Sequence, residues 1–269
     1  MALAAIKGEK LGEDDITDFL AISFSSTDYV GHQFGPNSVE LQDTYLRLDQ
    51  ELKRLLDELD RRFKGEYIVF LSSDHGVVNV PLYFEDQKIP GGYLDKQKMT
   101  GPLQDRVNEV LGKDEWVNDI SNDQIFLNHE LIKEKNLNRE EVRSQVKDVM
   151  LSFEEVADAY TYDDIVVRNS TDLFMKRIEN GFNSKRSGDV AVRLKSGYIV
   201  NSYGKQGTTH GSGYSYDTHV PILFYGKDVK KGSSVRPISI TDIAPTLSML
   251  LNISLPSAST GEPLKELFE

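Results

Sequence analysis

Glu66–Ser73 reads EYIVFLSS and runs directly into Asp74-His75-Gly76. A short apolar run rich in aromatic and β-branched residues is a buried strand, and the acid, imidazole and glycine behind it mark a turn at its carboxyl end. Working outward, Asp18–Ser25 (DFLAISFS) is a second run of this kind, and the Ser-Ser-Thr that closes it delivers Asp28 to a loop. Between the two, Leu41, Tyr45, Leu48, Leu52, Leu55 and Leu59 recur at steps of four and three, which predicts one helix from Asn37 to Phe63 with Asn37 and Glu40 as its capping pair. Strand, helix, strand implies a right-handed crossover and parallel pairing. The expected fold class is α/β, a mostly parallel sheet flanked by helices, in which ligands gather at the carboxyl ends of the strands.

From Gly101 to about Lys185 the texture is more polar. Helices are expected at Pro102–Leu111 and Asn138–Phe153, the latter capped by Asn138 with Glu141, and strands at Gln124–Leu127 and Val156–Tyr160. Residues 101–185 thus read as a small inserted α+β subdomain, with residues 1–100 and 186–269 forming the core sheet and its helices. The sheet is expected to resume with Asp189–Leu194 and Val220–Tyr225 (VPILFY), and Thr241–Leu251 to close the chain as a helix that tolerates Pro245 in its first turn. The Gly-, Ser- and Thr-rich loop Tyr203–Gly213 presents His210. It carries neither G-x-G-x-x-G spacing nor a P-loop lysine, so it is no nucleotide fingerprint.

The 269 residues, 39% apolar and 28% charged, suffice for a sizeable core. No apolar run reaches the roughly 20 residues of a membrane span, and no signal-peptide stretch opens the chain. A net charge of −12 argues against nucleic acid or an anionic membrane surface as partner. With no cysteine, any metal must be held by carboxylate, imidazole, hydroxyl or backbone oxygen.

Asp28 and His32 stand four apart, so if the segment forms one helical turn both point to the same side. With a distant His210 they make three protein ligands and leave a position open, the pattern of a catalytic zinc. Asp74 and His75, in a turn after a strand, can converge on a second ion. Each feature alone has a plainer reading: a surface or capping pair, a turn acid with a satisfied histidine, a loop hydrogen bond. Their joint placement at expected strand ends favours metal. Of the other histidines, His129 is expected at the surface of the insertion, and His219 to support the loop beside it. Ser25, Ser26, Thr27, Thr208 and Thr209 read as capping or turn hydroxyls.

The strings ISFSSTDYVGHQFGP, FLSSDHG and TTHGSGYSYDTHVPILFYG, with DIAPTL beyond them, resemble in order and spacing the alkaline phosphatase superfamily, most nearly the bacterial alkaline phosphatases of its type I phosphodiesterase and nucleotide pyrophosphatase branch. The resemblance implies an alkaline phosphatase-like α/β fold, with Asp28, His32 and His210 on a first zinc and Asp74 and His75 on a second. It also implies hydrolysis of small phosphate monoesters through a covalent phospho-enzyme, in the periplasm or outside the cell. Nothing before Asp28 matches the family's nucleophile or its remaining Asp ligand. The chain is therefore expected to be a C-terminal portion, inactive by itself and holding one zinc or none where the complete enzyme holds two, whose partner is the N-terminal half of the same protein. A phosphodiesterase or nucleotide pyrophosphatase is the neighbouring alternative, and a catalytically silent metal-binding module the alternative from another class. A sulfatase or a manganese-dependent phosphoglycerate mutase fits the ligands less well.

Overall fold

The computed structural model describes residues 1–94, 96–200 and 207–267. Its strands, in chain order, are β1 (Ile68–Ser72), β2 (Gly92–Leu94), β3 (Val117–Ser121), β4 (Gln124–Leu127), β5 (Val156–Thr161), β6 (Val190–Leu194), β7 (Tyr198–Val200) and β8 (Ile222–Gly226). The chain divides into two compact units, one of Met1–Thr27, Gln42–Asp74 and Val220–Glu269, the other of Asp28–Leu41 and His75–His219.

In the first unit β1 pairs antiparallel with β8, setting Phe70 opposite Phe224 and Leu71 opposite Leu223. The run Asp18–Ser25 forms no ladder, although Phe19 stacks on Phe70 with ring centroids 6.4 Å apart. The strand expected there, and its parallel pairing with β1, are thus corrected. Apolar periodicity says which segments are extended, but not which extended neighbour takes up their N–H and C=O groups. Phe19, Leu223 and Tyr225 are each more than half exposed on this sheet. The closing helix starts as a 3-10 turn, Ile240–Asp242, capped by Ser239, and continues as Ile243–Leu250. There Thr246 Oγ1 donates to Asp242 O and accepts the Leu264 amide at 2.9 Å, which pins the tail.

The long helix is Val39–Phe63. Its cap is Ser38, whose Oγ accepts the Leu41 amide at 3.2 Å, while the Asn37 side chain donates to Asn79. A serine hydroxyl reaches the third helical amide as well as an asparagine does. The cap therefore moves one residue along.

The second unit holds the larger hydrophobic core. β3, β4, β6 and β5 form an antiparallel sheet in that order. The helices Lys96–Leu111 and Arg139–Leu151 contribute Leu103, Val107, Val142, Val146 and Met150 to its core, with Trp116, Ile125 and Val190 from the strand side. Each of these is at most 2% exposed. Asn138 caps Arg139–Leu151 as expected, accepting the amides of Glu140 and Glu141.

β6, expected to resume a parallel main sheet, instead lies between β4 and β5. A strand hydrogen-bonded on both sides is covered along its length, which is why VAVRL is buried at four of its five positions. Among the described residues only β2 and β7 pair in parallel. The α/β class stands, while the mostly parallel order does not. Residues 203–206 of the loop expected to present His210 lie outside the described residues.

Candidate metal centre

The helix Ser26–Phe34 begins where Thr27 Oγ1 donates to Phe24 O, and it ends at Gly35, whose positive φ of 87° and amide bond to Gly31 O terminate it. The single turn between Asp28 and His32 aligns their side chains, and Asp28 Oδ1 stands 3.4 Å from His32 Nε2. The same oxygen lies 3.6 Å from His210 Nε2 and 3.9 Å from His75 Nε2. One carboxylate oxygen thus faces three imidazole nitrogens.

Asp28, His32 and His210 form a group that can hold a metal ion, with ligand atoms all within 4.8 Å of one another. Ligands about 2.0–2.2 Å from a tetrahedral ion stand about 3.3–3.6 Å from one another. The 3.4 and 3.6 Å separations from the Asp28 oxygen meet that requirement without rearrangement.

The outer contacts set the tautomers. His32 Nδ1 lies 2.8 Å from Thr208 O and His75 Nδ1 lies 2.9 Å from Gly76 O, so each Nδ1–H donates to a carbonyl and each Nε2 is the nitrogen turned toward Asp28. A ring N–H given to a backbone carbonyl is the usual support of a metal-bound histidine. Burial first, and then neighbouring His75, lower the His210 pKa below the ordinary imidazole value, against the opposing pull of Asp28. Neutral imidazole is the form that ligates.

Of the five residues expected at two ions, the structure gathers Asp28, His32, His75 and His210. His75 stacks on His210 with ring centroids 3.2 Å apart. Asp74 closes the unit that carries β1. Its pairing with His75 on a second ion remains an expectation from sequence.

The other two histidines separate. His129 is partly exposed, yet its Nε2 lies 2.8 Å from Oδ1 of buried Asp189, which also receives the Arg143 guanidinium and the Leu127 amide. His219 is exposed, and its main-chain N–H donates to Ser215 O. Sequence reasoning missed Asp217, which is 4% exposed beside the His210 loop and accepts both the amide and the hydroxyl of Ser212. The available signal was an acid inside a loop of Gly, Ser and Thr, where few other side chains can anchor the backbone.

Residues 2–216 match the family described as Type I phosphodiesterase / nucleotide pyrophosphatase. The chain is 40% identical over 267 residues to alkaline phosphatase PafA of Elizabethkingia meningoseptica, covering 99% of this chain and 48% of that protein. It is 39% identical over 271 residues to a protein of Myroides odoratus named calcium-transporting ATPase, covering 100% and 50%. The crystal structure of wild-type PafA superposes with a TM-score of 0.92, covering 100% of this chain and 51% of that one. The chain spans about half the length of the relatives it matches. No described helix is long and apolar enough to cross a membrane.

Proposed function

The chain belongs to the type I phosphodiesterase / nucleotide pyrophosphatase family, and from that premise we propose that the protein of which it forms part is a phosphoric ester hydrolase acting first on small phosphate monoesters. The observation that carries this reading is the Asp28 carboxylate oxygen facing His32 and His210 nitrogens at 3.4 and 3.6 Å. Those three residues would hold one zinc-type ion, and Asp74 with His75 would serve a second. Bound there, such ions supply Lewis acidity toward phosphoryl oxygens and lower the pKa of bound water. The chain's own residues orient the imidazoles of His32 and His75, and burial favours the neutral form of His210. The open side at Asp28, whose side chain is 40% exposed, admits substrate.

A covalent phospho-enzyme also needs a nucleophilic hydroxyl. Ser25 Oγ shares a hydrogen bond with Ser23 Oγ, Thr27 Oγ1 donates to Phe24 O, and Thr208 Oγ1 donates to Val78 O. Each of the three is engaged as a turn or capping group. On this reading the nucleophile belongs to the remainder of a longer polypeptide such as the relatives span, and the chain by itself turns over little. Its partners are a small phosphate ester and the remainder of that longer polypeptide, with neither nucleic acid nor an anionic membrane favoured by a net charge of −12. A site outside the bacterial cytoplasm is proposed from the family resemblance.

The test is zinc uptake by the native chain, followed by hydrolysis of p-nitrophenyl phosphate, bis-p-nitrophenyl phosphate and ATP by a full-length protein. Monoester hydrolysis should dominate. Preference for the diester would make the protein a phosphodiesterase, preference for ATP an anhydride hydrolase, and zinc uptake without hydrolysis a silent metal-binding module. Strong turnover by the 269-residue chain, abolished by His32→Ala, would overturn the assignment of the nucleophile elsewhere.

A further inference from the structure

Two of the imidazoles at this centre reach it on irregular backbone. His75 sits in a turn that follows a strand, and His210 in a loop whose glycine at 211 has a positive φ of 113°. Segments of this kind hold a side chain in place only if something else fixes them. Both are fixed by one residue of the short helix Ser215–Thr218.

Asp217 accepts the Gly76 amide on its main-chain carbonyl at 2.7 Å, immediately beyond His75. Its carboxylate Oδ2 accepts the Ser212 amide at 2.8 Å and the Ser212 hydroxyl at 2.7 Å, two residues beyond His210. The approach at the first contact is close enough that a Cβ on Gly76 would stand 2.2 Å from Tyr216 O. The other carboxylate oxygen, Oδ1, is buried with no hydrogen-bond partner among the described residues. A half-satisfied buried carboxylate costs stability, so packing does not account for an acid at this position. Anchoring the His210 loop does account for it: the carboxylate takes both donors of Ser212, and so fastens that loop to the short helix whose main chain holds the turn after His75.

We propose that Asp217 is the positioning residue of the metal centre, tying the turn that carries His75 to the loop that carries His210. This rests on the metal-centre reading above. It differs from the support of His32, which comes from Thr208 and does not pass through Asp217.

The experiment is zinc titration of the native chain and of Asp217→Ala against a chromophoric chelator, with cobalt absorption as a report of coordination geometry and thermal unfolding of the metal-free proteins as the fold control. Zinc affinity should fall about 10–100-fold in Asp217→Ala, the range typical of losing an outer partner, with a weakened or shifted cobalt band. Asp217→Asn keeps an oxygen acceptor for Ser212 and should restore most of the affinity. Where Asp217→Ala does not fold, Ser212→Ala, which removes one donor, should show a smaller loss in the same direction. Unchanged zinc affinity and an unchanged cobalt spectrum in the folded variant overturn the proposal alone. A native chain that takes up no zinc overturns the metal-centre reading, and this inference with it.

Discussion

Thr208 holds His32 by two main-chain bonds: its N–H donates to His32 O at 3.0 Å, and its carbonyl accepts the His32 Nδ1 proton at 2.8 Å. The support of this imidazole is therefore independent of the Thr208 side chain. That hydroxyl has another task, donating at 2.7 Å to Val78 O from a position with 0% exposure.

Thr208→Val should separate stability from metal binding. It leaves a buried carbonyl without its donor, a loss of about 1–3 kcal/mol, while both bonds to His32 survive. Calorimetric unfolding should show the loss, with zinc affinity moving less than about the tenfold that begins the outer-partner range. His32→Ala should do the reverse, since a missing ligand costs more affinity than a missing support.

Gly76→Ala should be poorly tolerated. The added methyl meets the Tyr216 carbonyl at 2.2 Å, a backbone atom with no rotamer to change. Overpacking of this kind costs about 1–3 kcal/mol, and the shift should displace His75. Chemical denaturation measures the first effect. A stability equal to the native chain's would show that the turn is freer than drawn.

Asp123 gives a pH dependence. Burial raises its carboxyl from 3.8 to about 6, so the folded protein disfavours the charged form. A folded-state pKa above the unfolded one means that this contribution is complete below about pH 3.8 and fades as pH climbs through about 6. Asp123→Asn cannot ionise and tolerates the left-handed backbone there, φ 55°. It should match the native chain at acidic pH and exceed it by about 3 kcal/mol at pH 8, since a carboxyl held at about 6 instead of 3.8 is worth about 1.4 kcal/mol for each pH unit of that gap. A stability difference flat from pH 4 to 8 would contradict the assignment.

Asp189→Ala should damage the second unit. The carboxylate receives Arg143 Nε at 2.9 Å, His129 Nε2 at 2.8 Å and the Leu127 amide at 2.9 Å. Removing it leaves a guanidinium whose side chain is only 10% exposed with Asp163, at 3.1 Å, as its remaining carboxylate partner, so the cost should approach the lower end of the about 3–5 kcal/mol of a broken buried pair. Urea unfolding of the variant reads it directly.

The shared face of Asp28 and His32 was legible because it depends on a short-range fact. Four residues make about one helical turn, so Asp28 and His32 had to share a face once Ser26–Phe34 was helical. The elements of 101–185 were legible for the same reason, since Asn138 signals its cap locally and Gln124–Leu127 alternates in burial. Asp217 left no such signal, because its importance lies in bonds to Gly76 and Ser212 that only the folded backbone creates.

By itself the sequence determined the long helix after Asn37, helices within 102–111 and 138–153, the strands β1, β4, β5, β6 and β8, and which side chain types can ligate. Tertiary structure alone decided that β1 takes β8 as an antiparallel partner, that β6 joins the four-stranded sheet, and that His210 comes within 3.6 Å of Asp28. The division follows the range of the forces. Propensity, capping and side-chain periodicity act over a few residues and are written along the chain, whereas strand partners and loop docking are settled among segments far apart in sequence, by which burial and hydrogen bonding the whole chain can satisfy at once.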